Sequence, residues 1–277
     1  IRNELEKLGS KHPKKIQLLF TEHHLSHAAS AFYPSTFKES AILTIDGVGE
    51  WATASISYGN ESDITILKEM HYPHSIGLFY SAVTYFLGFA VNSGEYKVMG
   101  LAPYGTNDDE QTKYFEQILL EKVIHIYDDG SIWLNQNYFS YSTALQMIPI
   151  KKWEDLLGIA KRNEESSLEQ QHANLAFAMQ KITEKVVVQM AKEAKKLTKS
   201  TNLCLAGGVA LNCVANGKIL NEKIFDQIWV QPAAGDAGGS LGAALALWHI
   251  ENMKPRVVDK NDDMQGSYLG PEYSQKE

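Results

Sequence analysis

The 277-residue sequence has little cysteine: only Cys204 and Cys213, neither in a CxxC pair. A disulfide scaffold is therefore not indicated, and a reducing cytoplasm is the expected compartment. No apolar run approaches the roughly 18 residues needed to cross a bilayer, so no membrane association is expected. The N-terminus, Ile1-Arg2-Asn3-Glu4, lacks a start methionine and the apolar stretch of a signal peptide. It opens inside a helical pattern (Leu5, Leu8), which leads to the expectation of a fragment preceded by further residues. Positive charge is not in excess either. Lys and Arg number 26 against 33 Asp and Glu, for a net charge of -7, which argues against a stand-alone nucleic-acid binder. What is present is the composition of a packed chain, 44% hydrophobic and 21% charged. The length suits one bilobed unit or two small domains.

Hydrophobic periodicity predicts an alternation of strands and helices. Ile16 to Phe20 reads as a short buried strand, Leu25 to Tyr33 as a helix stopped by Pro34, and Ser40 to Asp46 as a second strand. Ala52 to Tyr58 and Ile64 to Met70 form a hairpin with its turn at or near Gly59-Asn60. Ser75 to Leu87 is a helix. Asn92 to Gly105, rich in glycine and turn residues, reads as a loop. Asn107 to Asn163 reads as an insertion with a hairpin around Asp128-Asp129-Gly130. A long helix over Ser167 to Leu197 follows. Then come a strand (Leu203 to Ala206), a helix (Ala210 to about Leu220), a strand (Gln227 to Val230) and a helix (Ser240 to Ile250). The tail from Lys260 to Glu277 is polar and expected to be extended. The class is α/β. Residues 1–150 are expected to form a first lobe, 151–255 a second, and 256–277 a linker.

Four stretches carry chemistry. In His23-His24-Leu25-Ser26-His27 the outer histidines stand at i and i+4, so on a helix they share a face and can chelate one metal. No glutamate lies between them, which excludes the HExxH pattern with its built-in base. The plainer alternative is a pair of surface or capping histidines. Asp46-Gly47-Val48-Gly49-Glu50 puts a carboxylate at the end of a buried strand, where it can meet a metal or phosphate; a plain turn is the alternative. Leu205 to Asn212 runs strand, Gly207-Gly208, helix, and places free backbone N–H groups where a phosphate can sit. It is neither a P-loop nor GxGxxG. Ala233 to Ser240 repeats the device with Asp236, Gly238 and Gly239.

Glu22-His23-His24-Leu25-Ser26-His27-Ala28-Ala29-Ser30-Ala31-Phe32 resembles the opening motif of the NodU/CmcH-type carbamoyltransferases, which act in nodulation-factor and antibiotic biosynthesis. Leu43 to Gly47, Gly94 to Gly105, Leu205 to Asn212 and Asp236 to Gly242 resemble the same family in order and spacing. The resemblance implies a two-lobed fold of the actin and sugar-kinase (ribonuclease-H-like) superfamily, shared with tRNA threonylcarbamoyl transferases. It implies ATP and carbamoyl phosphate as inputs, a carbamoyl adenylate made by a separate C-terminal domain, and transfer of the carbamoyl group here to the hydroxyl of a small acceptor. Two departures stand out: the family's N-terminal segment with its own His-containing motif is absent, and so is the activating domain, so this chain alone is expected not to form the adenylate.

The expected metal ligands are His23, His27 and Asp236, with Asp46 as a fourth. They would hold Fe(II) in preference, or Mn(II) or Zn(II). Gly47, Gly207, Gly208, Asn212, Gly238 and Gly239 are expected to contact the nucleotide. Glu95 and Lys97 are the catalytic candidates, Lys97 by stabilising developing negative charge; a surface salt bridge is its alternative. A homodimer is among the expected partners. The competing functions are a phosphotransferase of the same superfamily and a non-catalytic nucleotide-binding assembly subunit.

Overall fold

In the computed structural model, which describes residues 1–274, the chain runs through α1 (Arg2–Lys7), α2 (His23–Phe32), β1 (Glu39–Gly49), β2 (Ala52–Asn60), β3 (Asp63–His71), α3 (Ile76–Phe86), α4 (Glu95–Leu101), α5 (Glu110–Lys122), β4 (Ile124–Ile126), β5 (Ile132–Leu134), α6 (Ile150–Leu157), α7 (Gln170–Thr198), β6 (Asn202–Ala206), α8 (Cys213–Asn221), β7 (Gln227–Val230) and α9 (Gly239–Ala246). The main sheet has the order β3-β2-β1-β6-β7, and β4-β5 form a separate hairpin. β1 pairs antiparallel with β2 (Leu43 opposite Ile56) and parallel with β6 (Leu43 opposite Leu205), and β6 pairs parallel with β7.

The central strands β1 and β6 are covered on both faces, and their residues show it. Successive side chains point to opposite faces, and the apolar residues of β1 and β6 divide accordingly. Ala41, Leu43, Ile45, Leu203 and Leu205 pack with α3 and α7. Ile42, Cys204 and Ala206 pack with α2 and with Ala246 of α9. A strand buried on both faces reads as a continuous apolar run, as Ala41 to Ile45 does. On the second face α2 and α9 cross closely, because Gly242 lets the α9 backbone rest against the Ser26 carbonyl.

Several expectations are corrected. Ile16 to Phe20 forms no strand, and Phe20 is 81% exposed. A short apolar run does not by itself select a strand, and the sheet edges here are β3 and β7. Most of residues 92–105 is helical rather than a loop, with α4 over 95–101 followed by a 3-10 turn at Ala102–Tyr104. Gly94 precedes that helix as its N-cap instead of breaking it. The hairpin turn falls near Gly59-Asn60 as expected, at Glu61-Ser62 between the paired Asn60 and Asp63. Asn212 caps α8, which starts at Cys213 after a 3-10 turn, and α9 passes into a π turn at Leu247–Glu251. The excursion over 107–163 is no satellite: Phe115, Leu119, Ile132, Leu134 and Trp153 join the same core as β1. The boundary at 150 does not separate two sheets, since β1–β3 and β6–β7 build one. Local pattern could not show a parallel pairing between strands so far apart in sequence. The tail is largely irregular, but Arg256 folds back on α2, donating to the carbonyls of Phe32, Tyr33, Ser35 and Phe37; residues 275–277 lie outside the described residues. No helix among the described residues is long and apolar enough to cross a membrane.

The start of α7 carries a pH dependence. The Glu169 N–H donates to Nδ1 of His172 at 2.9 Å, half of a capping box. His74 Nδ1 likewise accepts the Leu134 N–H at 3.0 Å. Both rings must be unprotonated at Nδ1, and burial pushes both below the usual histidine value of 6.5. The unfolded chain therefore binds protons more readily. These contributions are full above that value and are lost as the pH falls toward the lower folded-state values. Urea unfolding at about pH 7.5 and about pH 5 should show a smaller loss for His172→Gln than for the natural protein, because glutamine keeps the cap without titrating. Equal losses would refute this account.

Candidate metal centre

The three parallel strands end on one edge of the sheet, where open α/β sheets place their ligands. There β1 delivers Asp46, β6 runs into Gly207-Gly208, and β7 leads to Ala233–Gly239. Pairing of β1 with β2 is interrupted between Ile45 and Gly49, which releases Asp46 from that ladder. Ser75, the N-cap of α3, fixes the released segment by donating its hydroxyl to the carbonyls of Gly47 (2.6 Å) and Asp46 (3.1 Å).

From the covered face α2 brings His23 and His27 to the same point. Their Nε2 atoms are 2.9 Å apart. Asp46 Oδ2 lies 3.1 Å from the first and 3.3 Å from the second. Asp236 Oδ1 lies 3.4 and 3.5 Å from the same two nitrogens. The four ligand atoms all lie within 4.8 Å of one another. The cluster has a closed base and an open mouth, since His27 is 1% exposed, Asp46 13%, His23 29% and Asp236 79%. His27 Nδ1 is buried and makes no hydrogen bond, so that ring is held by packing.

Burial alone would push the Asp46 carboxyl upward. Hydrogen bonds from His23, His27 and the Gly47 backbone outweigh it and hold the carboxyl well below the usual carboxylate range. The hydrogen bond to Asp46 raises His23 against the opposing effect of burial. His24 faces away from this cluster toward Ser55, and burial pushes it down to about 4. Gly49 makes room for the centre, because a Cβ there would overlap the His23 ring.

The two glycine turns lie side by side. Gly207 donates its N–H to the Ala234 carbonyl at 2.8 Å, and the Gly208 N–H donates to Asp46 Oδ1 at 3.2 Å. Gly238 is buried against the Ala233 carbonyl, and Gly239 opens α9 with free space beside it. The Asn212 side chain accepts from the Ala215 N–H and exchanges hydrogen bonds with Gln180 in the interior. The Glu95 carboxylate accepts from Ser81 Oγ and the N–H groups of Asn92 and Gly94, and so fixes the start of α4. Lys97 is exposed, with its ammonium 6.0 Å from the centre of the Phe89 ring. The bonds of Ser75 to the Asp46 segment and the clearance that Gly49 gives the His23 ring escaped the sequence reading. Ser75 was legible as a helix start, but its bonds to the Asp46 segment depend on tertiary contact.

The family described as Carbamoyltransferase N-terminus matches residues 3–245, and the chain belongs to it. It is 50% identical over 278 residues to the uncharacterized protein sll1178 of Synechocystis sp., matching 100% of this chain and 44% of that protein. Nodulation protein NolO of Bradyrhizobium diazoefficiens is 37% identical over 90% of this chain and 41% of its own length. Nodulation protein NolNO of Sinorhizobium fredii is 35% identical over 92% of this chain and 34% of its own. The chain thus spans less than half the length of these relatives. Among solved structures, HypF of T. kodakarensis is a distant likeness, with a TM-score of 0.47 and 14% identity over 88% of this chain and 38% of that one.

Proposed function

We propose that this chain forms the acceptor-carbamoylating part of a metal-dependent O-carbamoyltransferase. The observation that carries the reading is the convergence of His23, His27, Asp46 and Asp236 beside two adjacent glycine turns on the carboxyl edge of the parallel strands. Two imidazoles and two carboxylates form a mixed nitrogen and oxygen donor set that suits Fe(II), with Mn(II) and Zn(II) as alternatives. Such an ion would supply Lewis-acid polarisation of a phosphate or carbonyl oxygen. The glycine turns at Gly47, Gly207, Gly208, Gly238 and Gly239 would let the nucleotide part of a carbamoyl adenylate derived from ATP and carbamoyl phosphate approach the backbone closely; the start of α9 has no side-chain cap, and the helix dipole favours an anion there. The acceptor hydroxyl oxygen would bond to the carbamoyl carbon as the C–O bond to the phosphate breaks. AMP leaves with that electron pair, and the hydroxyl proton passes to solvent. Lys97 remains the candidate for stabilising the developing negative charge, and Glu95 would position α4.

The actin and sugar-kinase-like fold belongs to the same reading. A single mixed sheet, closed on both faces by helices, supports assignment of the described residues to one lobe of such a fold. Family membership favours carbamoyl transfer over a phosphotransferase or an assembly subunit. The test is mass spectrometry of the full-length protein incubated with ATP, carbamoyl phosphate and a panel of hydroxyl compounds. A product heavier by one carbamoyl group is expected, and its loss in Asp46→Asn is expected too. A phosphorylated product instead would overturn the proposal.

A further inference from the structure

Beside the cluster lies a cavity of about 510 Å³ that the chemistry above does not use. This falls in the range of small-molecule sites, ~300–1,000 Å³. Three segments wall it: the start of α2 (Glu22, His23, His24), the β1–β2 turn (Gly49, Glu50, Trp51, Ala52) and the end of β3 (Glu69, His71, Tyr72). His23 belongs both to this wall and to the cluster, so a molecule in the cavity lies next to the reacting centre.

The wall has one electrical sign. It contains three glutamates and no lysine or arginine. Lys68, next to Glu69 in sequence, is turned to Glu193 at 2.6 Å and Asp129 at 3.3 Å. Among the described residues the ion-pair contact of Glu69 is with the neighbouring His71, at 3.4 Å. The acidic wall is not itself a metal site. Among the described residues the grouping with ligand spacing is the His23 cluster, and no glutamate of the cavity belongs to it. Aromatic surface completes it. Trp51 stands at the rim with 74% of its surface exposed, on a turn where Glu50 adopts a left-handed backbone. Its ring face is free to take a cation, and tryptophan is the best aromatic partner for one. The buried His24 also lines the cavity, and its Nε2 makes no hydrogen bond.

An anionic donor is repelled by such a wall and favoured instead at the start of α9, which carries no side-chain cap. An ammonium group is drawn the other way. We propose that this cavity is the acceptor site and that it selects a hydroxyl compound carrying a protonated amine. The amine lies against Trp51 and the carboxylates of Glu50 and Glu69, and a hydroxyl faces His23. This proposal rests on the carbamoyl-transfer reading but stands on different residues.

The test is calorimetric titration of the full-length, metal-loaded protein with glucosamine and with glucose, which differ by an ammonium in place of a hydroxyl. Glucosamine should bind about tenfold more tightly, the combined effect of a cation–π contact and partly exposed charge pairs. Glu50→Gln combined with Glu69→Gln should remove the preference, and so should Trp51→Ala in part, with metal content unchanged. Equal affinity for the two sugars, binding of neither, or a preference that survives the double substitution would overturn the proposal. Since the titration needs no turnover, a protein that binds glucosamine selectively but forms no carbamoylated product would refute the reaction and leave the site standing.

Discussion

Full-length protein carrying His27→Ala should purify without stoichiometric metal, and its carbamoyl transfer should fall by about 100-fold or more, since even residues outside the ligand set cost ~10–100-fold. The ring is 1% exposed and sits at the closed base of the cluster, so no water-filled route offers a replacement ligand in the same place. The substitution also removes one of the hydrogen bonds that hold the Asp46 carboxyl ionised while buried. Leaving that group short of a partner should cost about 1–3 kcal/mol of stability in the metal-free protein. Asp236→Ala gives the contrast. Its carboxylate is 79% exposed, so removing it should lower metal content while changing stability by no more than about 0.5 kcal/mol. Elemental mass spectrometry and urea unfolding of the two variants separate the ligand role from the structural one. Unchanged metal stoichiometry in His27→Ala would sink the proposed centre.

The parts of this centre that were legible in the sequence are those whose geometry is local. The i, i+4 spacing of His23 and His27 fixes their shared helix face, and the apolar run ending at Asp46 fixes a carboxylate at a strand end. Gly207-Gly208 and Gly238-Gly239 mark turns after strands, and the parallel pairing of β1, β6 and β7 brings those turns to one edge. What stayed hidden depends on contacts between distant segments. Glycine content suggested a loop over 92–105, yet Glu95 gathers the Ser81 hydroxyl and two backbone N–H groups and starts a helix there. The Ile16–Phe20 run looked like a strand because apolar character was weighed without knowing whether a sheet edge was in reach. The pairing of β1 with β6 was not legible, because each announces itself as a separate strand and nothing in either names the other as its neighbour. Asn212 was legible only by its place after two glycines. Its side chain is drawn inward by Gln180 of α7, a residue with no local signature.

Gly242→Ala should destabilise the protein, although the same change at an exposed helical glycine stabilises. Replacing glycine by alanine inside a helix ordinarily gains about 0.5–1 kcal/mol through lower backbone entropy in the unfolded chain. Gly239, at the start of the same helix, shows the ordinary case: a Cβ there meets nothing, and Gly239→Ala should gain that amount. At Gly242 the new methyl would overlap the Ser26 carbonyl and press on the Ser30 N–H, both backbone atoms of α2 that cannot rotate away. The helices must separate, and overpacking of this kind costs about 1–3 kcal/mol, more for the larger Gly242→Val. The displacement also has a functional consequence. α2 carries His23 and His27, whereas Asp46 is fixed to the sheet and to Ser75, so moving the helix opens the distances of 3.1 and 3.3 Å on which the cluster depends. Gly242→Ala should therefore bind metal more weakly than Gly239→Ala even under conditions where both are fully folded. Urea unfolding and metal titration of the pair check both halves. A Gly242→Ala protein as stable as Gly239→Ala would show that the two helices do not rest backbone to backbone, and the placement of the histidines by that crossing would fail with it.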